Sequence, residues 1–390
     1  MNRSFLRYPS LAAGLLAVLC GCSSGGGGTA VAPIAGATGA ATATPSAGPS
    51  ATPVSSPTAS ATPTSSPTAS ATPTSTPSPS PAPSATPSAP FIYVVNAGGS
   101  ITVYAGNPTG TVAEPPIATI TDGASGLLGA DGIAIDSTGR IYVSNNHGSV
   151  QVFPANPRGT VNEAPLATIS GNQTGLSGNI SSIALDESGK IYVGNTAGAA
   201  GTGAITVYAA NPAGTLNEPP LATIGGIDTG LTTPEGLAVD SSGKIYAPGG
   251  DQFDNAGTVT VYAANPSGTL DEPPLATIAG NHTGLDGPSD VATDTERKVY
   301  VADKFDSAIT VYAANPSGTL DEPPLATIAG SKTGLDSPTG VAVDASGKIY
   351  VVNSQASTVT IYAANPSGTL NEPPLATITG LSLPFAIAVH

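Results

Sequence analysis

VAVDASGKIYVVNSQASTVTIYAANPSGTLNEPPLATI, residues 341–378, holds four short runs of alternating or β-branched residues with turn residues between them. VAVD is the first run, KIYVVN the second, STVTIY the third and PLATI the fourth, the pattern of half-buried strands joined by tight turns. The unit recurs about every 50 residues. The first run appears as IAID (133–136), IALD (183–186), LAVD (237–240), VATD (291–294), VAVD (341–344) and IAVH (387–390). Tyr93, Tyr142, Tyr192, Tyr246, Tyr300 and Tyr350 mark the second, and Tyr104, Phe153, Tyr208, Tyr262, Tyr312 and Tyr362 end the third. The fourth is IATI at 117–120 and then LATI five times. Six copies of each run are present, and their phase matters: the series begins at Phe91 on a second run and stops at His390 after a first run. The two orphan ends complete each other if the chain closes into a ring, which removes the open sheet edge. The sequence therefore predicts an all-β, six-bladed β-propeller with four antiparallel strands per blade. Its ring would be closed by the C-terminal inner strand 387–390 joining blade 91–120.

The repeated side chains agree with that reading. Ala134, Ala184, Ala238, Ala292, Ala342 and Ala388 hold the middle of every first strand. Inner strands converge on the axis, where small side chains fit the taper. The repeated aromatics are expected between blades. In the DxSG turns the Asp would cap backbone amides and the Gly would take positive φ.

The pattern GLxxPxGVAVDxSGKIYV, complete at 334–351, resembles the NHL-repeat and gluconolactonase-like group of six-bladed propellers, and the resemblance runs over 91–390. It implies the fold. For activity it implies only a range, since that group includes lactonases, lyases and pure binding modules.

Residues 1–90 are of another kind. They contain no Asp or Glu, and Arg3 and Arg7 are their only basic residues. Arg3 and Arg7 precede the apolar run LAAGLLAVLC at 11–20, which reads as an export signal too short to span a bilayer. The run ends in LCGC, 19–22, which resembles the lipobox of bacterial lipoproteins. That resemblance implies a signal peptide over 1–21, acylation of Cys22, and a membrane-anchored protein on the non-cytoplasmic side of a bacterial cell envelope. Residues 22–90, with ATPVSSPTAS-type decads from Ala51, have too little apolar surface to fold and read as a disordered Pro/Ser/Thr/Ala stalk. The propeller is then 91–390.

That domain carries all 26 acidic residues and nine of the eleven basic ones, a formal charge of −17. Such a surface repels nucleic acid, and NHL domains that bind RNA present a basic face instead. Both cysteines, Cys20 and Cys22, precede the domain, which excludes thiol chemistry and a Cys-ligated zinc there. No Ser–His–acid set and no phosphate-binding glycine loop can be assigned, so no catalytic residue is named. A monomer is expected.

Strands alternate in direction, so the third-to-fourth segment NPSGTLDEPP and the DxSGK turns should share one nearly uniform face. The second-to-third and fourth-to-first loops, which differ between copies, share the other. An asymmetric ligand needs broken symmetry, so the variable face is where a site is expected. It carries the unrepeated aromatics Phe253, Phe305 and Phe385 and the imidazoles His147 and His282, which are the candidate ligand contacts. Asp131, Glu235, Asp290 and Asp303 are the candidate carboxylates for a divalent cation such as Ca²⁺, which prefers oxygen ligands. Asn96, Asn145, Asn195, Asp303 and Asn353 form a partial ring at the second-strand ends and read as loop caps. The expected function is a binding or interaction module for a protein or carbohydrate ligand of the envelope. The alternative is a metal-assisted lactonase-like hydrolase or lyase acting at the channel mouth.

Overall fold

The computed structural model describes residues 90–176, 178–196, 202–251 and 256–390. Cys22, the stretches 1–21 and 22–89, and Phe253 lie outside the described residues. Six sheets are arranged as the blades of a propeller, and each holds five strands. The closure falls where the phase of the repeat requires it. Strand Pro384–Val389 pairs antiparallel with Phe91–Asn96, Ala388 standing opposite Tyr93. Phe91 and His390 exchange both backbone hydrogen bonds, at 2.7 and 3.1 Å. Blade 1 is thus built from both ends of the domain, and blades 2 to 6 follow in chain order.

The inner strands reach further than the predicted runs. They start at Ala130, Ile180, Pro288, Pro338 and Pro384, three residues early, because a bulge lets the segment before each run pair as well. Blade 4 differs: its inner strand is only Ala238–Val239, while its second and third strands, Ile245–Asp251 and Ala256–Tyr262, extend past their counterparts.

Packing between blades alternates small with branched. The repeated alanine of one inner strand meets the branched residue of the next: Ala388 clusters with Ile133, Ala184 with Leu237, and Ala238 with Val291. The six second-strand tyrosines are almost completely buried. In blades 2 to 6 the hydroxyl donates to the turn aspartate, as Tyr142 does to Asp136 and Tyr246 to Asp240 (3.1 and 2.9 Å). The other Asp oxygen accepts two backbone N–H groups, and usually a hydroxyl, of the same turn. Burial pushes the carboxyls of Asp136, Asp186 and Asp344 up, and these hydrogen bonds more than reverse it, holding them below the usual carboxylate range. His390 takes the Asp position at the seam, and there a different contact appears: the Arg158 guanidinium lies 5.1 Å over the Phe91 ring.

The expectation of four strands per blade needs a correction. The GTL or GTV of each NPSGTLDEPP segment is itself a strand, and it pairs with the preceding blade. Gly159–Val161 lies parallel to Ala118–Ile120, Gly318–Leu320 to Ala276–Ala279, and Gly110–Val112 of blade 1 to Ala376–Ile378 of blade 6. The segment is therefore a strap on the neighbour's outer edge. It climbs parallel to the neighbour's fourth strand and so leaves the uniform face on which the sequence pattern places it. The residue after the strap then reaches the turn that follows that fourth strand. Asn217 Oδ1 accepts from the Gln173 N–H at 2.9 Å, Asp271 from Asp228 at 2.9 Å, Asp321 from His282 at 2.8 Å and Asn371 from Lys332 at 2.9 Å. The glycine of the capped turn faces this side chain closely. A Cβ on Gly330, whose φ is +114°, would stand 2.5 Å from Asn371 Cγ. Such a contact demands glycine twice over. The exception explains itself: the turn from blade 6 to blade 1 reads only ITGL, and the residue that would cap it is Ala113.

Removing one cap, by Asn217→Ala or by Asp321→Ala, should cost about 1 kcal/mol in either case, read from urea unfolding. Gly330→Ala should cost more, whereas Ala113→Asn, with no turn to cap, should stay within about 0.5 kcal/mol. Equal losses at Asn217 and Ala113 would refute the strap-and-cap account.

Candidate functional site

On the variable face the inner strands begin with their bulges. A bulge leaves one residue out of the ladder and re-aims its side chain. The pairing skips Asp131, Ser181, Ser289, Thr339 and Phe385, and Glu235 holds the same register position in blade 4. All six line one cavity of about 370 Å³ at the channel mouth. Two positions later in each inner run the residues turn aliphatic: Ile133, Ile183, Leu237, Val291, Val341 and Ile387 also border the cavity and give it an apolar floor. Within otherwise near-identical strands, one six-fold position thus carries Asp, Ser, Glu, Ser, Thr and Phe, and that position faces the mouth.

The polar atoms here are partly committed. Asp290 bridges two blades: Oδ1 accepts the Val291 N–H and Oδ2 the Val341 N–H, both at 2.9 Å. Burial outweighs these two bonds and pushes its carboxyl up to about 7. Burial also raises Asp131, against the opposing influence of the Asn146 side chain and of His147. Ser181 and Ser182 both donate to Pro234 O (2.9 and 2.8 Å), and Ser289 donates to Pro338 O (2.9 Å), so hydroxyls of one inner strand tie down the next. Phe385 remains 41 % exposed over the opening, and Lys304 completes the wall.

Of the residues singled out by sequence, Asp131, Glu235, Asp290 and Phe385 come together around this cavity. The others stand elsewhere. His147 is on the blade 2 rim, its Nδ1 2.9 Å from Asn145 Oδ1 and 3.1 Å from Leu128 O; both are acceptors, so Nδ1 carries the proton. His282 pairs with Asp321 at 3.0 Å as part of the capped turn described above. Phe305 is half exposed and lies over Gly287, where a Cβ would come within 2.4 Å of its ring. Asp303 is fully buried at the end of its second strand. A divalent cation does not fit the candidate carboxylates as they stand. Among the described residues no three His, Cys, Asp or Glu side chains are placed to hold a metal ion, and both Asp290 oxygens are spent on backbone N–H groups.

The opposite mouth offers a useful contrast. Its cavity of about 430 Å³ is ringed by Asp136, Asp186, Asp240, Asp294 and Asp344, one role repeated five times and satisfied within the turns. Sequence reasoning missed Ser181, Ser289 and Thr339 as mouth residues because it searched by charge and aromaticity. Aligning the six copies at the residue five before each turn Asp, or before His390, would have found them.

Residues 253–374 match the family described as "Lactonase, 7-bladed beta-propeller". The match covers less than half of the chain, and the ring here has six blades rather than seven. No curated protein matches the sequence.

The raised carboxyl has a testable consequence. A proton bound more tightly in the folded state contributes stability that is complete below the free-carboxylate range and lost as pH rises through about 7. Carbon-detected NMR of the Asp290 carboxyl should show its titration centred near 7, and an ordinary midpoint near ~4 would contradict this burial.

Proposed function

We propose that the propeller is a binding module that takes a neutral carbohydrate at the variable-face mouth. The observation that carries this is the broken symmetry of the bulge position: five residue types occupy six equivalent places, and all six border one cavity. Their chemistry suits a saccharide. The carboxylates of Asp131 and Glu235 can accept from sugar hydroxyls, the Lys304 ammonium can donate to them, and the exposed Phe385 ring offers an apolar face against which a pyranose can lie. The domain's charge of −17 disfavours anionic ligands.

The remaining parts of the chain fit the same role. In this reading Cys22 carries lipid, each buried methylene contributing about 0.8 kcal/mol to anchoring. The Pro-rich segment links that anchor to the propeller, which faces the non-cytoplasmic side of a bacterial envelope membrane.

The test is saturation-transfer NMR of the full chain against a panel of neutral oligosaccharides. Phe385→Ala should weaken binding about tenfold or more, as loss of a buried aromatic anchor does, and Glu187→Gln at the opposite mouth should leave it unchanged. A panel without a single binder, or equal effects of the two variants, would remove the reading. The partial lactonase match favours a second one, hydrolysis of a sugar lactone at the same mouth. Turnover of δ-gluconolactone that depends on Glu235 would replace binding with catalysis.

A further inference from the structure

The ring of side chains at the second-strand ends contains its own control experiment. In blades 1, 3 and 6 an asparagine donates through Nδ2 to a third-strand threonine: Asn96 to Thr102, Asn195 to Thr206 and Asn353 to Thr360, at 3.0, 3.1 and 3.0 Å. Blade 4 has Gly249 at this position, and Thr260 turns its own hydroxyl to Ala247 O at 3.1 Å. In blade 2 the threonine is replaced by Gln151, and Asn145 and Gln151 both donate to Gly126 O. Blade 5 alone places an acid there. Asp303 is 0 % exposed, and its Oδ1 accepts the Asp286 N–H at 2.6 Å, much as Asn353 Oδ1 accepts that of Asp336 at 3.1 Å. Its Oδ2, the counterpart of the donating amide, has no hydrogen bond, and neither has Thr310 Oγ1, the counterpart of the accepting hydroxyl. The nearby Tyr312 hydroxyl is spent on Thr283 O at 2.8 Å. Two buried oxygens stand where the sister blades have a donor and an acceptor, and leaving both unmade is costly.

We propose that Asp303 is carried protonated in the folded protein, a neutral side chain like the asparagines of the sister blades, and that its ionisation loosens the rim loop 303–307. The surroundings point the same way. Burial first, then the negative charges of Asp306 in its own loop and Asp286 in the loop before the inner strand, push the Asp303 carboxyl up to about 7. Asp286 also buries an unpaired Oδ1. The one cation in this loop, Lys304, lines the mouth cavity. The loop is held by the Asp303–Asp286 contact, by Lys304 N–H to Gly287 O and Phe305 N–H to Asp286 O (both 3.2 Å), and by the Phe305 ring on Gly287. Ionisation puts a third negative charge at the centre of that set. Since Lys304 belongs to the wall of the mouth, the device would act on access to the cavity, whatever ligand the cavity takes.

The experiment compares the full wild-type chain with Asp303→Asn from about pH 5 to pH 9, by thermal melting and by hydrogen exchange of the Lys304 and Phe305 amides. The folded state holds this proton more tightly than the unfolded chain, so its contribution is complete at low pH and is lost as pH rises through about 7. At about pH 5 the two proteins should match. At about pH 8.5 the variant should melt roughly 2–4 °C or more above wild type. Wild type should lose protection at the two amides by up to about tenfold per pH unit above ~7, and the variant should keep it. Asp290 is present in both chains, so its own titration cancels in the difference. Identical pH dependence of the two proteins would overturn the proposal. So would a wild-type Asp303 carboxyl carbon that titrates below about pH 6, a measurement that needs no variant to fold. Calcium chloride restoring wild type but not the variant at about pH 8.5 would also overturn it, by assigning the orphaned oxygens to a cation.

Discussion

The architecture depends on the pairing of Pro384–Val389 with Phe91–Asn96. Without it blade 1 would lose its inner strand, Phe91–Asn96 would become an exposed edge, and the mouth would lose Phe385 and Ile387 from its lining. Closed rings need every blade at the same tilt and spacing, and here two devices enforce that. The C-terminal strand zips the inner edge, and the straps seal the outer edge: each blade covers its neighbour's fourth strand, with blade 1 covering blade 6. An edge strand with unpaired N–H and C=O groups is a template for aggregation, and the strap moves that edge onto a three-residue strand at the rim.

This explains why the strap segment is so faithfully repeated. Each copy except that of blade 1 must match three things in another repeat: the register of a fourth strand, the orphan amide of the turn beyond it, and the glycine that lets the capping side chain approach. Drift at any one of them breaks a contact with a partner about 40 residues away. The mouth is under a different constraint. The bulge residue is outside the ladder, and where it touches the next blade, as Ser181 and Ser289 do, it does so through a single hydroxyl, so the position can vary at little cost to the ring. Fidelity marks the scaffold and divergence marks the opening.

The acid groups divide along the same line. The turn aspartates satisfy one repeated geometry, and its hydrogen bonds hold Asp136, Asp186 and Asp344 below the usual carboxylate range. Asp290 and Asp303 are buried where the repeat provides no cation, and both are pushed up to about 7. Both are departures from the local consensus: Asp290 stands where other inner strands have glycine, alanine or serine, and Asp303 where most of the ring has asparagine.

Blade number, strand order, the alanines, the tyrosine positions and the ring closure were all legible in the sequence, because each follows from a period and a phase, and periodicity survives in one dimension. The fifth strand was not legible. A GTL triplet between turn residues carries no alternation of its own, and its partner lies in another repeat, so only the tertiary arrangement shows that it is a strand. The same holds for the site. Asp131, Glu235, Asp290 and Phe385 could be named from letters, yet their gathering around one mouth, and the separation of Asp303, His147 and His282 from them, came from where the bulges turn each chain. Sequence determined the ring, since a repeat can tile space in few ways. Tertiary structure decided which side chains face one another, since that depends on which strand of which neighbour each segment meets.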